Sequence, residues 1–375
     1  MTITESAVES ALSRVDDPEI GKPITELGMV KSIEVTGDDV AVELYLTIAG
    51  CPMKSTIESN TRAALEEIEG VGTVSVAMDV MSDEQRRELR RSLRGDSPEP
   101  VIQFSQPDST TRVYAVASGK GGVGKSSMTV NLALALAAKG LSVGVLDADI
   151  YGHSVPGLLG STQGPSVVDD MILPPIAHGI KHISIGHFVE GNAPIVWRGP
   201  MLHRAIQQFL GDVYWGDLDV LLMDLPPGTG DVALSVAQLL PNAELLIVTT
   251  PQAAAAEVAE RAGSIVQQTR QRVAGVIENM SAMVLPDGTV MDVFGSGGGQ
   301  TVADRLTTLT GTDVALMGQI PLDPQLRIHG DDGQPVVVSE PDSPAAKAVR
   351  EIADQLAVRR ESLAGKRLGL GVTTK

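Results

Sequence analysis

Cysteine is almost missing from this chain: one residue, Cys51, in 375. A single thiol per chain excludes an internal disulfide framework and any metal site drawing four thiolates from one chain. Aromatic residues are scarce, at 3%, which leaves few platforms on which single-stranded nucleic acid can stack. Positive charge is in deficit, with 29 Lys+Arg against 47 Asp+Glu and a net charge of −18. Nucleic acid and anionic lipid both need positive potential over their contact surface, so neither nucleic acid nor a membrane is expected as a partner. No apolar run approaches the roughly 18 residues of a transmembrane helix. The opening residues, MTITESAVESALSRVDDPE, are acidic and lack a basic n-region, so no secretory signal is expected and the expected location is cytoplasmic. What is present is 43% hydrophobic and 20% charged, enough apolar material for a full core. At ~150 residues per domain the length suggests two or three domains.

Residues 1–82 read as a small α+β domain. A helical pattern, ESAVESALSRV, precedes Asp16-Asp17-Pro18-Glu19. Two β-rich runs follow, Met29–Val35 and Val40–Thr47, joined by the hairpin-type turn Thr36-Gly37-Asp38-Asp39. In the second run Val40, Val42, Leu44 and Leu46 share one face, as a half-buried strand requires. A helix from Met53 to about Ile68 and a strand near Gly72–Met78 complete the unit. Residues 83–111 change character: Arg86, Arg87, Arg90, Arg91 and Arg94 lie at near-helical spacing, ahead of Pro98 and Pro100. That is a short basic helix feeding an extended linker. Its arginines suit either a solvated, salt-bridged face or docking on an acidic surface. From Arg112 on, apolar strands alternate with amphipathic helices, the strands falling at 113–118, 142–147, 182–186, 220–224, 245–249, 273–278 and 314–320. Runs such as Val220-Leu221-Leu222-Met223 suit strands covered on both faces, so a parallel sheet wrapped by helices is expected over 112–362. The tail 363–375 is short and polar.

The most specific signal is Gly119-Lys120-Gly121-Gly122-Val123-Gly124-Lys125-Ser126-Ser127. It matches GxxxxGK[ST], follows an apolar strand and opens a helix, the context a phosphate-binding loop requires. Its glycines let successive backbone N–H groups converge on phosphate oxygens, and the helix N-terminus adds positive potential. Lys125 would meet the β- and γ-phosphates of ATP, and the Ser126 hydroxyl would ligate Mg²⁺. Leu146-Asp147-Ala148-Asp149 ends the next strand; Asp149 is placed to orient the attacking water and Asp147 to lie nearer the Mg²⁺ shell. Met223-Asp224-Leu225-Pro226-Pro227-Gly228 has the Walker B pattern, with Asp224 holding Mg²⁺ through water. Asn279 and Pro321 fall where adenine would sit above the sheet. The Gly297-Gly298-Gly299 run starts a helix, and the six histidines show no metal-ligand spacing.

Lys120 makes the loop similar to the deviant Walker A class, KGGxGK[ST], whose MinD-like members dimerise with ATP between subunits. That resemblance implies that Lys120 reaches the partner chain's nucleotide. More broadly, GKGGVGKSS, DADIYGHSVPGLLG, WRGPM, DLPPGTGD, ENMS, FGSGGG and IPLDPQLRIHGDDG run in the order seen in the Mrp/NBP35 family of P-loop ATPases. Residues 10–79, with VDDPEIG and AGCPMKSTIE, resemble the MIP18-type domain fused in front of bacterial members. The resemblance implies a homodimeric, ATP-hydrolysing iron–sulfur cluster carrier that binds a labile four-iron cluster and hands it to apo iron–sulfur proteins. Family members usually carry CxxC shortly after ENMS, two chains supplying four thiolates to one cluster. Here Leu285 and Gly288 stand at those positions, and neither side chain ligates iron. Cys51, ahead of Pro52 and near a helix start, is the remaining candidate ligand; the helix dipole there is expected to depress its pKa. Two readings of Cys51 stand, a packed small hydrophobe and an iron–sulfur ligand completed by a partner chain or a small thiol. Two functional readings stand likewise: a cluster carrier, and a nucleotide-gated dimeric scaffold for assembly factors without its own cluster. A third, a partitioning ATPase acting on DNA or membrane, is opposed by the charge and by the N-terminal domain.

Overall fold

The computed structural model describes residues 3–95, 101–150, 152–188, 199–228, 230–252, 255–285 and 287–357. The linker prolines Pro98 and Pro100, Trp197 and Arg198 of WRGPM, Thr229 and the tail 363–375 lie outside the described residues. The chain divides into two compact units. One comprises Met1–Val101, Ser161–Ile183 and Gly211–Gly216; the other comprises Ile102–Gly160, Ser184–Leu210 and Asp217–Lys375. These bounds differ from those expected at 82 and 112. The basic helix belongs to the first unit, and two segments from within 112–362 join it there.

In the first unit, Val30–Thr36 pairs antiparallel with Asp39–Leu46, and Asp39–Leu46 pairs parallel with Val74–Val80. Thr36 faces Asp39 across Gly37, whose φ of +66° meets the left-handed demand of so tight a turn. Val40, Val42, Leu44 and Leu46 are buried on one face, so the period of two does place the core side. Against that core lie Val8 and Leu12 of the helix Glu5–Leu12, and Ile57 and Leu65 of the helix Lys54–Glu66. Two antiparallel hairpins, Ser166–Val168 with Met171–Leu173 and Ile176–Ala177 with Ile180–Ser184, come from the later segment. His178 and Gly179 turn the second hairpin at φ +50° and +78°. The strand expected at 182–186 is found two residues earlier, as Ile180–Ser184, and it pairs antiparallel with the two residues before the turn.

The arginine-rich segment is the helix Asp83–Arg94. Ser82 Oγ accepts from Gln85 N at 3.3 Å and Gln85 Oε1 accepts from Ser82 N at 2.8 Å, a capping box that fixes the helix start. Arg86 and Arg91 pair along the helix with Asp83 and Glu88, while Arg90 Nε reaches Asp169 at 3.1 Å and Asp170 at 3.3 Å. Both sequence readings of the arginines are therefore realised, on different sides of one helix. Exposed ion pairs contribute only about 0–1 kcal/mol each, so the anchor is Leu89, 3% exposed and part of the same core as Val168 and Leu173.

In the second unit six strands run parallel in the order Leu316–Pro321, Val273–Ser281, Glu244–Thr249, Arg112–Ala117, Val220–Asp224 and Val143–Asp147. Every residue of Val220–Asp224 and of Glu244–Thr249 is buried, as the unbroken apolar runs require of strands covered on both faces. The helix Lys125–Ala137 is apolar almost all round, burying Met128, Val130, Leu132 and Leu136, because it lies between the sheet and the helix Pro344–Leu356. Ser343 Oγ caps the latter by accepting from Ala346 N at 3.2 Å. The carboxyl ends of Arg112–Ala117, Val143–Asp147 and Val220–Asp224 meet at one edge of the sheet, where open α/β sheets bind ligands. No helix among the described residues is long and apolar enough to cross a membrane.

Leu89→Ala is expected to lower stability by about 2–5 kcal/mol, the cost of a buried leucine truncation, read as a lower urea midpoint in circular dichroism. A midpoint unchanged from wild type would mean that the basic helix is a solvated linker.

Candidate functional site

The loop between Arg112–Ala117 and Lys125–Ala137 wraps a cavity of about 290 Å³ lined by Gly121 to Ser127, Asp149, Ser154 and Pro227. Gly122 and Gly124 hold φ of +75° and +79°, the left-handed region open to glycine at little cost. At Gly124 the constraint is double, since a Cβ there would run into Asn279 Nδ2. Asn279 is 3% exposed, and its Nδ2 donates to the Val123 carbonyl at 2.9 Å. The residue expected at adenine therefore braces the phosphate loop. It also lines, with Pro321, Met280, Met283 and Leu326, a separate and largely apolar cavity of about 350 Å³.

Asp224 lies at the centre of the site. It is fully buried, with Lys125 Nζ at 2.7 Å, and it accepts from Ser126 Oγ at 2.5 Å and from Thr129 Oγ1 at 2.9 Å. Burial pushes its carboxyl above the ordinary range, against the pull of Lys125 and the two hydroxyls. Thr129 was not singled out from the sequence, although its place four residues after Lys125 puts it on the same helix face. Asp147 faces Asp224 in register on the neighbouring strand. Burial and the Asp224 charge push it up to about 7. Its oxygens accept from Asp149 N at 3.1 Å, Val155 N at 3.3 Å and Ser184 Oγ at 3.0 Å. Asp147, fully buried as Asp224 is, does not itself line the cavity and holds the segment that carries Asp149. Asp149 does line the cavity, with Oδ2 3.8 Å from Lys125 Nζ and Oδ1 accepting from Gly152 N at 3.1 Å.

Lys125, Ser126, Ser127, Asp149 and Asp224 are thus brought together. Gly119 and Lys120 are not among the residues lining the cavity; the Lys120 ammonium donates instead to Gln252 Oε1. The glycine run at 297–299 does open a helix, Gly298–Thr310. Its amide end is filled from within, since Glu278 Oε2 accepts from Gly299 N at 2.5 Å. Leu285 and Gly288 sit in the tight turn of the hairpin Met283–Val284 with Val290–Met291, where Gly288 N donates to the Leu285 carbonyl at 2.8 Å. Among the described residues no cluster of three or more His, Cys, Asp or Glu side chains is arranged to hold a metal ion.

Cys51 lies in the first unit, three residues before the helix Lys54–Glu66, and is 8% exposed. Its Sγ donates to Glu19 Oε2 at 3.5 Å, and Glu19 Oε1 accepts from Ser166 Oγ at 3.0 Å. Asp17 Oδ1 accepts from the amides of Glu19 and Ile20 at 2.9 and 2.8 Å, bending the chain so that Glu19 faces the thiol. The expected depression of the thiol pKa is reversed. Burial first, and the Glu19 charge next, push it up to about 12; the Met53 amide pulls the other way and loses. The local sequence shows the helix start but not Glu19, which is 32 residues away along the chain.

Comparison with known proteins divides the chain into two contiguous matches. Residues 109–357 match the family described as NUBPL iron-transfer P-loop NTPase, and residues 5–76 match the family described as iron-sulfur cluster assembly protein. The iron-sulfur cluster carrier protein of Mycobacterium tuberculosis (strain H37Rv) is 66% identical over 372 residues, 99% of this chain and 97% of that protein. The protein of the same name from Synechocystis sp. (strain PCC 6803) is 39% identical over 95% of this chain and 97% of its own length. Among solved structures, a nucleotide-binding protein from Archaeoglobus fulgidus in complex with ADP is 36% identical, with a TM-score of 0.54. The match covers 65% of this chain and 93% of that one.

With a thiol pKa of about 12, roughly one Cys51 in ten thousand is ionised at pH 8. Alkylation by iodoacetamide at that pH is expected to be correspondingly slow, its rate still rising above pH 10. Glu19→Gln removes a negative neighbour, lowers the pKa and speeds alkylation at pH 8 about tenfold. Equal rates in the two proteins would refute the electrostatic coupling.

Proposed function

Because this chain belongs to the NUBPL-type iron-transfer P-loop NTPases, we propose that it is a cytoplasmic, homodimeric ATPase that carries iron–sulfur clusters and delivers them to apo iron–sulfur proteins. The observation that carries the nucleotide part is the convergence of Lys125, Ser126 and Asp224 beneath a loop of open amides. In this reading the amides of Gly121 to Ser127 take the phosphate oxygens of ATP, and Lys125 moves from Asp224 to the β- and γ-phosphates. Ser126 Oγ and the Asp224 carboxylate, both hard oxygen donors and already in contact, suit Mg²⁺. That ion, when bound, neutralises charge on the β- and γ-oxygens. Asp149, held over the cavity by the buried Asp147, orients the attacking water. The cavity beside Asn279 and Pro321 offers apolar walls to the adenine ring. Lys120 acts on the nucleotide of the second chain, where a cation stabilises the charge that develops as γ-phosphate leaves.

The cargo part rests on family membership and on the N-terminal unit. Cys51 is the one thiol, so a cluster held by protein sulfur would take Cys51 from each of two chains and complete its ligand set from a recipient or a small thiol. The scaffold reading, in which ATP gates a dimer and partners hold the metal, is favoured by one observation: Leu285 and Gly288 sit in a hairpin turn, and neither supplies a thiolate.

Lys125→Ala is expected to lower ATP turnover by at least ~10²-fold, measured as phosphate release. Lys120→Ala is expected to retain nucleotide affinity in calorimetry while kcat falls. Loss of affinity with kcat intact at saturation would place Lys120 in its own chain's binding site instead.

Anaerobic reconstitution with iron and sulfide separates the two cargo readings. A carrier loses its bound iron on Cys51→Ser. Equal iron and sulfide in variant and wild type would leave Cys51 out of the ligand set and favour the scaffold.

A further inference from the structure

Lys120 is the one basic residue of the phosphate loop whose ammonium does not serve its own cavity. It is not among the lining residues, and its Nζ donates to Gln252 Oε1, 132 residues later in the chain. Both ends of this contact are fixed. The Gly119 carbonyl accepts from Arg261 Nη1 at 3.3 Å and the Lys120 carbonyl accepts from Ser118 Oγ at 2.9 Å, so only the lysine side chain is left to swing. Gln252 follows the buried strand Glu244–Thr249, and the preceding Thr250 and Pro251 press so closely on Gly298 that a Cβ there would strike their backbone. The acceptor is therefore presented from a braced segment.

The chemistry of the acceptor is informative. In a chain with 47 acidic residues, the group holding this lysine is a neutral amide. A carboxylate would make an ion pair, whose charge-assisted hydrogen bonds are roughly twice as strong as neutral ones. An amide oxygen aims the ammonium without neutralising it, so a polyphosphate can outcompete it.

The geometry points to Gln252 as a positioning residue for ATP hydrolysis: a neutral latch that holds Lys120 off its own nucleotide cavity until the phosphates of a second chain's ATP draw it away. The inference deepens the proposed function and rests on its assignment of Lys120 to the partner's nucleotide. It describes a two-state side chain whose balance is set by the strength of one acceptor.

The test is steady-state kinetics on the full chain, with Gln252→Ala and Gln252→Glu each made alone and together with Lys120→Ala. Thermal melts confirm that every variant is folded. Gln252→Glu is expected to lower kcat about tenfold at saturating Mg·ATP, with KM nearly unchanged, because the lysine is trapped. Gln252→Ala is expected to raise kcat about threefold. It should also raise the fraction of dimer seen by sedimentation with a non-hydrolysable ATP analogue. In the Lys120→Ala background both substitutions are expected to be silent. A merely structural role for Gln252 would persist there, so an equal effect with and without Lys120 overturns the latch. Wild-type kcat in Gln252→Glu, with Lys120→Ala slow, overturns it too while leaving the role of Lys120 standing. Wild-type kcat in Lys120→Ala alone overturns that role and the latch together. Were Gln252→Glu to melt early, Gln252→Ala decides: an unchanged dimer fraction and kcat reject the proposal.

Discussion

A carboxylate taken out of water costs several kcal/mol unless charge and hydrogen bonds replace its hydration. Asp224 meets that demand with one ammonium and two hydroxyls, all from the first turns of a single helix. The strand Val220–Asp224 and the helix Lys125–Ala137 are therefore tied at one point, and the loop between the first strand and that helix must take up the remaining slack. Its shape follows: left-handed glycines at 122 and 124, with Asn279 filling the space above Gly124 and holding the Val123 carbonyl. Asp147, in register beside Asp224, feels that buried charge and spends its own oxygens on the backbone that carries Asp149. One compensated carboxylate thus organises both the phosphate loop and the segment opposite it.

The two units set their reactive groups differently. In the nucleotide unit, Lys125, Ser126 and Asp149 line an open cavity and bond to one another or to Asp224 beneath it. In the N-terminal unit, burial and a neighbouring carboxylate keep the only thiol protonated. Such a thiol is protected from adventitious oxidation and alkylation, which act on thiolate. For it to bind iron, the proton must leave and the Glu19 charge must be offset, and a cation arriving at the sulfur supplies that offset itself. A masked thiol is thus compatible with metal capture while resisting other electrophiles.

Much of the architecture was legible from the chain alone because it rests on local pattern. The alternation of Val40 to Leu46, the apolar run at Val220 to Met223 and the loop motif from Gly119 to Ser127 each carry their structural meaning within a few residues. Bounds erred where a backbone turn decided the matter, as at His178 and Gly179. The compact units differ from the expected bounds because a chain can leave one unit and return: Ser161–Ile183 is surrounded in sequence by the other unit, and no local signal marks it.

The linear order of residues determined that a nucleotide-type loop exists, that it holds Lys125 and Ser126, and that Asp224 ends an apolar run downstream of it. These follow from composition and spacing, which survive without a fold. Only the tertiary structure decided that Cys51 lies against Glu19 and is protonated, that Asp147 is buried, that Asn279 braces the loop, and that Lys120 rests on Gln252. Each of these depends on electrostatics or packing between groups far apart in the chain, and such distances in space do not exist until the strands have paired.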